Sequence, residues 1–236
     1  MIVFISVSIA NSFYGNPISK AVAAKKINDY VISNYSDIDL VIEEPKYNFK
    51  FSEYYSNVYS EEDIDVHFLV KYSNRRIYDD YEIDVLSGWN TLRRMEAEYA
   101  TLLTPLLKEE FVDSFNRVNV EYPKKINKAD ITKMLNTPLN VNDGEYKKLW
   151  LNLKHVDMTV ESLSTNLKRL HNVLIKKGYY IDEYVLWIDG EGQYDYINVT
   201  GIKANMICDG LTELIQYSKD NREEAFQKYG INTHFK

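Results

Sequence analysis

One cysteine, Cys208, is all that this chain of 236 residues holds, so no disulfide can form within it and no cysteine-rich zinc site exists. Positive charge is also short: 28 Lys and Arg stand against 35 Asp and Glu, a net charge of −7. Phosphate binding needs a surplus of Lys and Arg on one face, so this balance argues against a nucleic-acid partner. No apolar run reaches the ~20 residues that a complete spanning helix needs. No Gly/Ser-rich or Pro-rich linker, internal repeat or low-complexity segment divides the chain. Catalytic signatures are missing too: there is no HExxH and no serine or cysteine nucleophile in a recognisable elbow. What is plentiful is tyrosine, with 20 residues. Tyrosine suits strands and half-buried surfaces, where the ring packs and the hydroxyl stays wet.

The most apolar stretch is the start. Ile2 to Ala10 holds no charge, Gly or Pro, and Phe13-Tyr14 precedes a Gly15-Asn16-Pro17 break. A secretory signal would carry Lys or Arg before its apolar region, whereas the first basic residue here is Lys20. Residues 1–14 read as the outer part of a truncated membrane helix, with Phe13-Tyr14 in the interfacial aromatic belt. The alternative is that this segment packs into a soluble fold. Asn16 suits an N-cap and Pro17 a first helical position, so the next helix starts there.

The pattern beyond Pro17 predicts an α+β protein. Ile18, Ala21, Ala24, Ile27 and Val31 form a helical stripe. Tyr47, Phe49 and Phe51 alternate with polar residues as a half-buried strand does, and Tyr55 to Tyr59 suits another. Ile64 to Tyr72 alternates in the same way, and Arg75 to Tyr78 returns briefly. This is an N-terminal helix with an antiparallel meander. A long helical region runs from Leu86 to Phe115, with Pro105 expected to kink it or start a new helix. A second, smaller α+β domain follows: strands at 118–122 and 149–153, a short helix at 128–135, and a helix from Val160 to Leu174 capped by Thr159 and stopped by Gly178. A hairpin then turns at 189–193, and one amphipathic helix covers 205–229. The expected domains are 15–117 and 118–236.

Each candidate site has a plain structural reading beside it. Asp189, Glu191 and Asp195 are spaced like calcium ligands, but the loop lacks the further oxygens and terminal Glu of an EF-hand, and a hairpin needs its glycines anyway. Asp79, Asp80 and Glu82 read as ordinary first-turn acids of a helix. His155 with Asp157 could orient a general base. His67 falls on the polar face of a strand, His171 at a solvated helix edge and His234 in a frayed tail. None has metal-ligand spacing. Cys208 reads as a small buried hydrophobe on the last helix. Asn34-Tyr35-Ser36 and Asn198-Val199-Thr200 match the glycosylation sequon, a motif common by chance. No catalytic residue, cofactor site or metal site is assigned. Tyr54, Tyr55 and Tyr59 are the candidate binding surface, set against cross-strand packing as the plain reading.

Several stretches together resemble one family. NSFYGNPISK, the following Ala/Lys helix, the YNFKF strand and DDYE leading to LSGWNTLRR resemble the YfjL-like proteins of Gram-positive bacteria. DMTVESLSTNLKRLHNVLIKKGY with its aromatic hairpin is similar to the C-terminal domain of the same family. The resemblance implies a short cytoplasmic start, one N-terminal membrane helix and a two-domain extracytoplasmic α+β part; the basic start and first portion of the span are missing from this sequence. It carries no activity and no site residues. The expectation is a non-enzymatic, membrane-anchored protein facing outward, binding an envelope protein, peptide or glycan. The alternative is a soluble cytoplasmic enzyme or scaffold. The enzyme would use Asp189, Glu191 and Asp195, or His155 and Asp157, converging in one pocket.

Overall fold

The computed structural model describes residues 16–123, 134–192 and 194–236. The candidate membrane segment 1–14 therefore lies outside the described residues, as does most of the expected helix 128–135. The chain forms two compact units. The first takes residues up to Arg93 and returns for a short stretch ending at Thr137; the second takes the rest.

In the first unit, helix α1 (Pro17–Asn34) starts as its sequence requires, with the Asn16 side chain accepting the Ile18 N–H at 2.8 Å. Five strands follow: β1 (Val41–Ile42), β2 (Lys46–Asn48), β3 (Glu53–Tyr59), β4 (His67–Ser73) and β5 (Arg76–Asp79). All pairings are antiparallel, with β1 and β2 both on one side of β3. Ala23, Ile27 and Val31 are the buried face of α1, while Ile18 is exposed. Ile27 and Val31 pack with Val58, Phe68 and Val70 of β3 and β4. Asp79 ties the C-terminal end of α1 to the sheet. It accepts the Tyr30 and Tyr35 hydroxyls at 2.5 and 2.9 Å and the Tyr81 N–H at 2.9 Å. Burial, then the Asp79 carboxylate, pushes both phenols up from their ordinary value. Asp80 pairs with Lys71. The first two of the three acids expected in a helical first turn are thus committed to β5 and its neighbours.

Two strand expectations change here. Residues 49–52 form a turn rather than strand, leaving Phe49 and Phe51 50% and 71% exposed. The Asn48 side chain accepts the Lys50 N–H at 3.2 Å and starts that turn locally. Residues 64–66 precede β4, and Asp65 is buried there. Its carboxylate accepts the Asn136 N–H at 2.9 Å, while its own N–H bonds the Asn136 side chain at 3.1 Å.

A π-helical turn, Glu82–Leu86, leads to helix α2 (Trp89–Phe111), which runs without a break through Pro105. Pro105 is exposed, so the Thr101 carbonyl that it leaves without an N–H partner is on the watered side. Leu103, Leu107 and Phe111 are buried on the helix's inner side, and that burial outweighs one lost hydrogen bond.

The second unit is a five-stranded sheet with its strands in chain order: β6 (Phe115–Glu121), β7 (Lys148–Lys154), β8 (Glu183–Asp189), β9 (Tyr196–Lys203) and β10 (Asn232–Phe235). Only β7 and β8 are parallel; the other neighbours are antiparallel. Helix α3 (Val160–Lys176) makes the crossover, its N-terminus capped by Thr159 at 3.0 Å from the Ser162 N–H. The predicted stripe Val160, Leu163, Leu167, Leu170 and Leu174 is buried against Leu149, Leu151, Leu153, Tyr184, Leu186 and Ile188. The expected final helix is instead two, α4 (Leu211–Asp220) and α5 (Arg222–Tyr229), parted at Asn221. Asn221 ends one helix through its N–H to the Tyr217 carbonyl, and its own carbonyl begins the next by accepting the Ala225 N–H. Gly230 stops α5 in the left-handed conformation, and β10 pairs with β9. His234 therefore lies in a strand, not in a frayed tail.

At Gly201, φ is +79°, and a Cβ would meet the Gly230 carbonyl oxygen at 2.1 Å. The turn after α5 rests on the backbone of β9 there. Gly201→Ala is expected to cost about 2–3 kcal/mol through strain and steric overlap. Thermal melting checks this; an unchanged melting temperature would refute so close an approach.

Candidate functional site

Strands alternate their side chains between faces, and the second sheet uses the two faces differently. One carries the core. On the other, cross-strand register brings together Arg117, Asn152, Trp187, Asn198 and His234, and beside them Asn119, Trp150 and Val185. This face forms an open groove of about 570 Å³, within the ordinary range of small-molecule sites. Asn116, Arg117 and Asn119 line it from β6, Trp150 and Asn152 from β7, and Trp187 and Asp189 from β8.

The walls have local causes. The β6–β7 register shifts between Phe115 and Arg117, a bulge that adds Asn116 to the polar face. Its amide donates to the Asn152 side-chain oxygen and to Asp189 Oδ2, the latter at 3.2 Å. Trp187 stacks on Tyr196 with centroids 4.3 Å apart and planes 24° from parallel. Lys148 Nζ lies 4.9 Å from the centre of the Trp150 ring. Two polar atoms on this face, Trp150 Nε1 and Asn198 Oδ1, are buried with no hydrogen-bond partner. Such groups are uncommon and each asks for an explanation.

The groove adjoins a second open cavity of about 770 Å³ beyond the C-terminal ends of β7 and β8. Lys154, His155, Asp157, Asp189 and Glu191 line it. Parallel pairing draws the two sequence candidates, the His155–Asp157 pair and the acidic turn, to one end of the sheet, where ligands of α/β sheets commonly bind. His155 holds the left-handed conformation at φ +57°, a strained state that non-glycine residues rarely adopt. Asp195 belongs to the turn itself: its carbonyl accepts the Gly190 N–H at 2.8 Å and its N–H bonds the Gly192 carbonyl at 3.2 Å. Among the described residues, no group of three or more His, Cys, Asp or Glu is arranged to hold a metal ion.

The tyrosines singled out in the first unit divide between two faces. Tyr54 is 8% exposed, and its hydroxyl accepts the Asn16 N–H at 3.0 Å and donates to the Asn16 carbonyl at 3.2 Å. Its ring meets Tyr47 at 5.0 Å. Tyr55 and Tyr59 stand on the opposite, outer face, beside Lys71 and His67 respectively and half-buried. Three smaller expectations also change. Cys208 is exposed, in the connection before α4 rather than inside a helix. Asn198 is only 5% exposed within β9, so its sequon is covered. His171 is half-buried, with Nδ1 2.8 Å from the Tyr184 hydroxyl and its ring edge-on to Tyr184.

Reading the sequence alone left out Trp150, Trp187, Asn116, Asn119 and Asn152. The signal available was the polar half of each strand's alternation. Those positions came from separate segments, and nothing local joined them.

Burial pushes the His171 imidazole below its ordinary 6.5. The unfolded chain then binds a proton there before the native one does. The stability contributed by the neutral ring is full above pH 6.5 and is lost as pH falls through the native value. An NMR titration of His171 is expected to show a midpoint below 6.5, and one at or above 6.5 would contradict the burial. Tyr54→Ala is expected to cost about 3 kcal/mol or more as a large core truncation, while Tyr59→Ala costs clearly less; denaturant unfolding of the two variants measures the difference.

No helix among the described residues is long and apolar enough to cross a membrane. No curated protein and no solved structure matches the chain. Two family models do match it: the YfjL-like N-terminal domain over residues 1–81, and the YfjL-like C-terminal domain over residues 98–216. These spans hold α1 with the first sheet, and most of the second unit with its groove; on them, this chain belongs to the YfjL-like family.

Proposed function

We propose that this chain is a non-enzymatic binding module of the cell envelope, tethered to the membrane through residues 1–14 and facing outward. The observation that carries the binding half is the groove on the second sheet. Its walls are indole rings, primary amides, one guanidinium and one carboxylate, groups that hold a ligand by stacking and hydrogen bonding. The envelope half rests on sequence. The uncharged run from Ile2 to Ala10, the Phe13-Tyr14 pair and the helix start at Asn16-Pro17 suit an interface exit. The partner is an envelope protein, a peptide or a glycan.

One observation favours the rival, a soluble enzyme or scaffold: His155, Asp157, Asp189 and Glu191 share a cavity, with His155 strained. Localisation separates the two. The gene is expressed from its natural start with a C-terminal tag, cells are stripped of their wall, and protease is added before fractionation. Membrane-bound protein digested from outside is the expected result. A soluble product protected from protease would overturn the envelope reading and turn attention to the His155 cavity.

A further inference from the structure

The groove's chemistry narrows what it can hold. It lies on the face of the sheet over β6, β7 and β8; β7 and β8 are interior strands and β6 is the edge. A peptide adding itself as an extra strand would pair along the outer edge of β6, in the plane of the sheet, and would not lie across this face. Recognition at this place must come from side chains. The lining offers one guanidinium, Arg117, against one carboxylate, Asp189. That near-neutral balance, in a chain of net charge −7, does not suit a polyphosphate or nucleic acid.

Three asparagine amides remain, at positions 116, 119 and 152, between two tryptophans. A carboxamide presents two donors and an acceptor from one planar group, and so matches a ligand whose hydroxyls alternate as donors and acceptors. An indole face takes an apolar C–H surface without asking for charge. Trp187 is held for this by its stack on Tyr196, so little side-chain entropy is lost on binding. A ligand with an apolar face and a hydroxylated rim meets these demands together.

We infer that the groove formed by Trp150, Trp187 and the amides of Asn116, Asn119 and Asn152 binds a neutral oligosaccharide. The inference rests on the binding-module reading and names its ligand class and place. The sugar ring lies on an indole, its hydroxyls bond the amides, and Asp189 and Arg117 close the two sides.

The sequence has three tryptophans, and the one outside the groove, Trp89, belongs to the first unit. In the full chain carrying Trp89→Phe, the emission therefore reports the groove. Cellotetraose, tetra-N-acetylchitotetraose and an uncharged tetra-alanine peptide are titrated separately. A saturable change with either sugar, weakened about threefold to tenfold by Trp187→Ala with folding intact, is the expected result. Asn152→Ala and the exposed Arg117→Ala serve as second variants, read by calorimetry, where Trp187→Ala lowers the melting temperature. No saturable change with either sugar overturns the inference, as does a response to the peptide alone or one that survives all three substitutions. Because the titration uses purified protein, its failure leaves the localisation result standing. An outward-facing product that ignores both sugars would keep the module and remove only this ligand.

Discussion

The parallel pairing of Lys148–Lys154 with Glu183–Asp189 organises the second unit. Parallel neighbours cannot be joined by a tight turn; the chain must leave the sheet and come back over one face. Here α3 makes that return, and its leucine stripe buries the inner face of the sheet. Because helices cover one face, the alternate side chains of the same strands are left to form the other. The groove is a by-product of this asymmetry: the residues that make the core and those that line the groove alternate along β6, β7 and β8. The same pairing brings the ends of two non-adjacent segments together, so that His155 and Asp189 share a cavity although their positions in the chain are far apart.

The first unit depends on a different device. Its sheet is antiparallel throughout, so local turns suffice to build it, and the question is what keeps α1 in place. Apolar packing of Ile27 and Val31 does part of this. The rest is polar: one carboxylate, Asp79, takes two tyrosine hydroxyls from α1 and its C-terminal flank and a backbone N–H from its own. A half-buried acid with three donors is satisfied. At the other end of the helix, the Tyr54 hydroxyl bonds both backbone groups of Asn16. Three of the many tyrosines that composition assigned to half-wet surfaces, Tyr30, Tyr35 and Tyr54, thus secure the ends of the helix through their hydroxyls.

Legibility in the sequence followed the range of the interactions. The Asn16-Pro17 start, the Thr159 cap, the Val160–Leu174 stripe and the hairpin of β8 and β9 were readable, because each is settled within a few residues. The α+β class and the order of helix, meander, long helix and second sheet follow from such pieces. The course of α2 through Pro105 was not readable, since it depends on what buries Leu103 and Phe111. Nor was the split at Asn221, nor the turn at Gly230 that brings the last strand back to pair with β9. Tyr54 and Tyr55 are adjacent in sequence yet face opposite ways, a distinction that needs the register. The groove was the least legible feature of all, drawn from alternate positions of separate strands, with a bulge adding Asn116.

The division of labour between the two sheet faces bears on how such a protein can diversify. Arg117, Asn119 and Asn152 are absent from the buried cluster that holds the second unit together. Substitutions there leave the leucine stripe and its strand partners untouched, and sites so separated tend to act additively. Descendants of one ancestral scaffold could then exchange ligands by rewriting a handful of outward positions while inheriting the interior intact. Recognition would drift faster than architecture, and relatives alike in their helices would differ in what they grip.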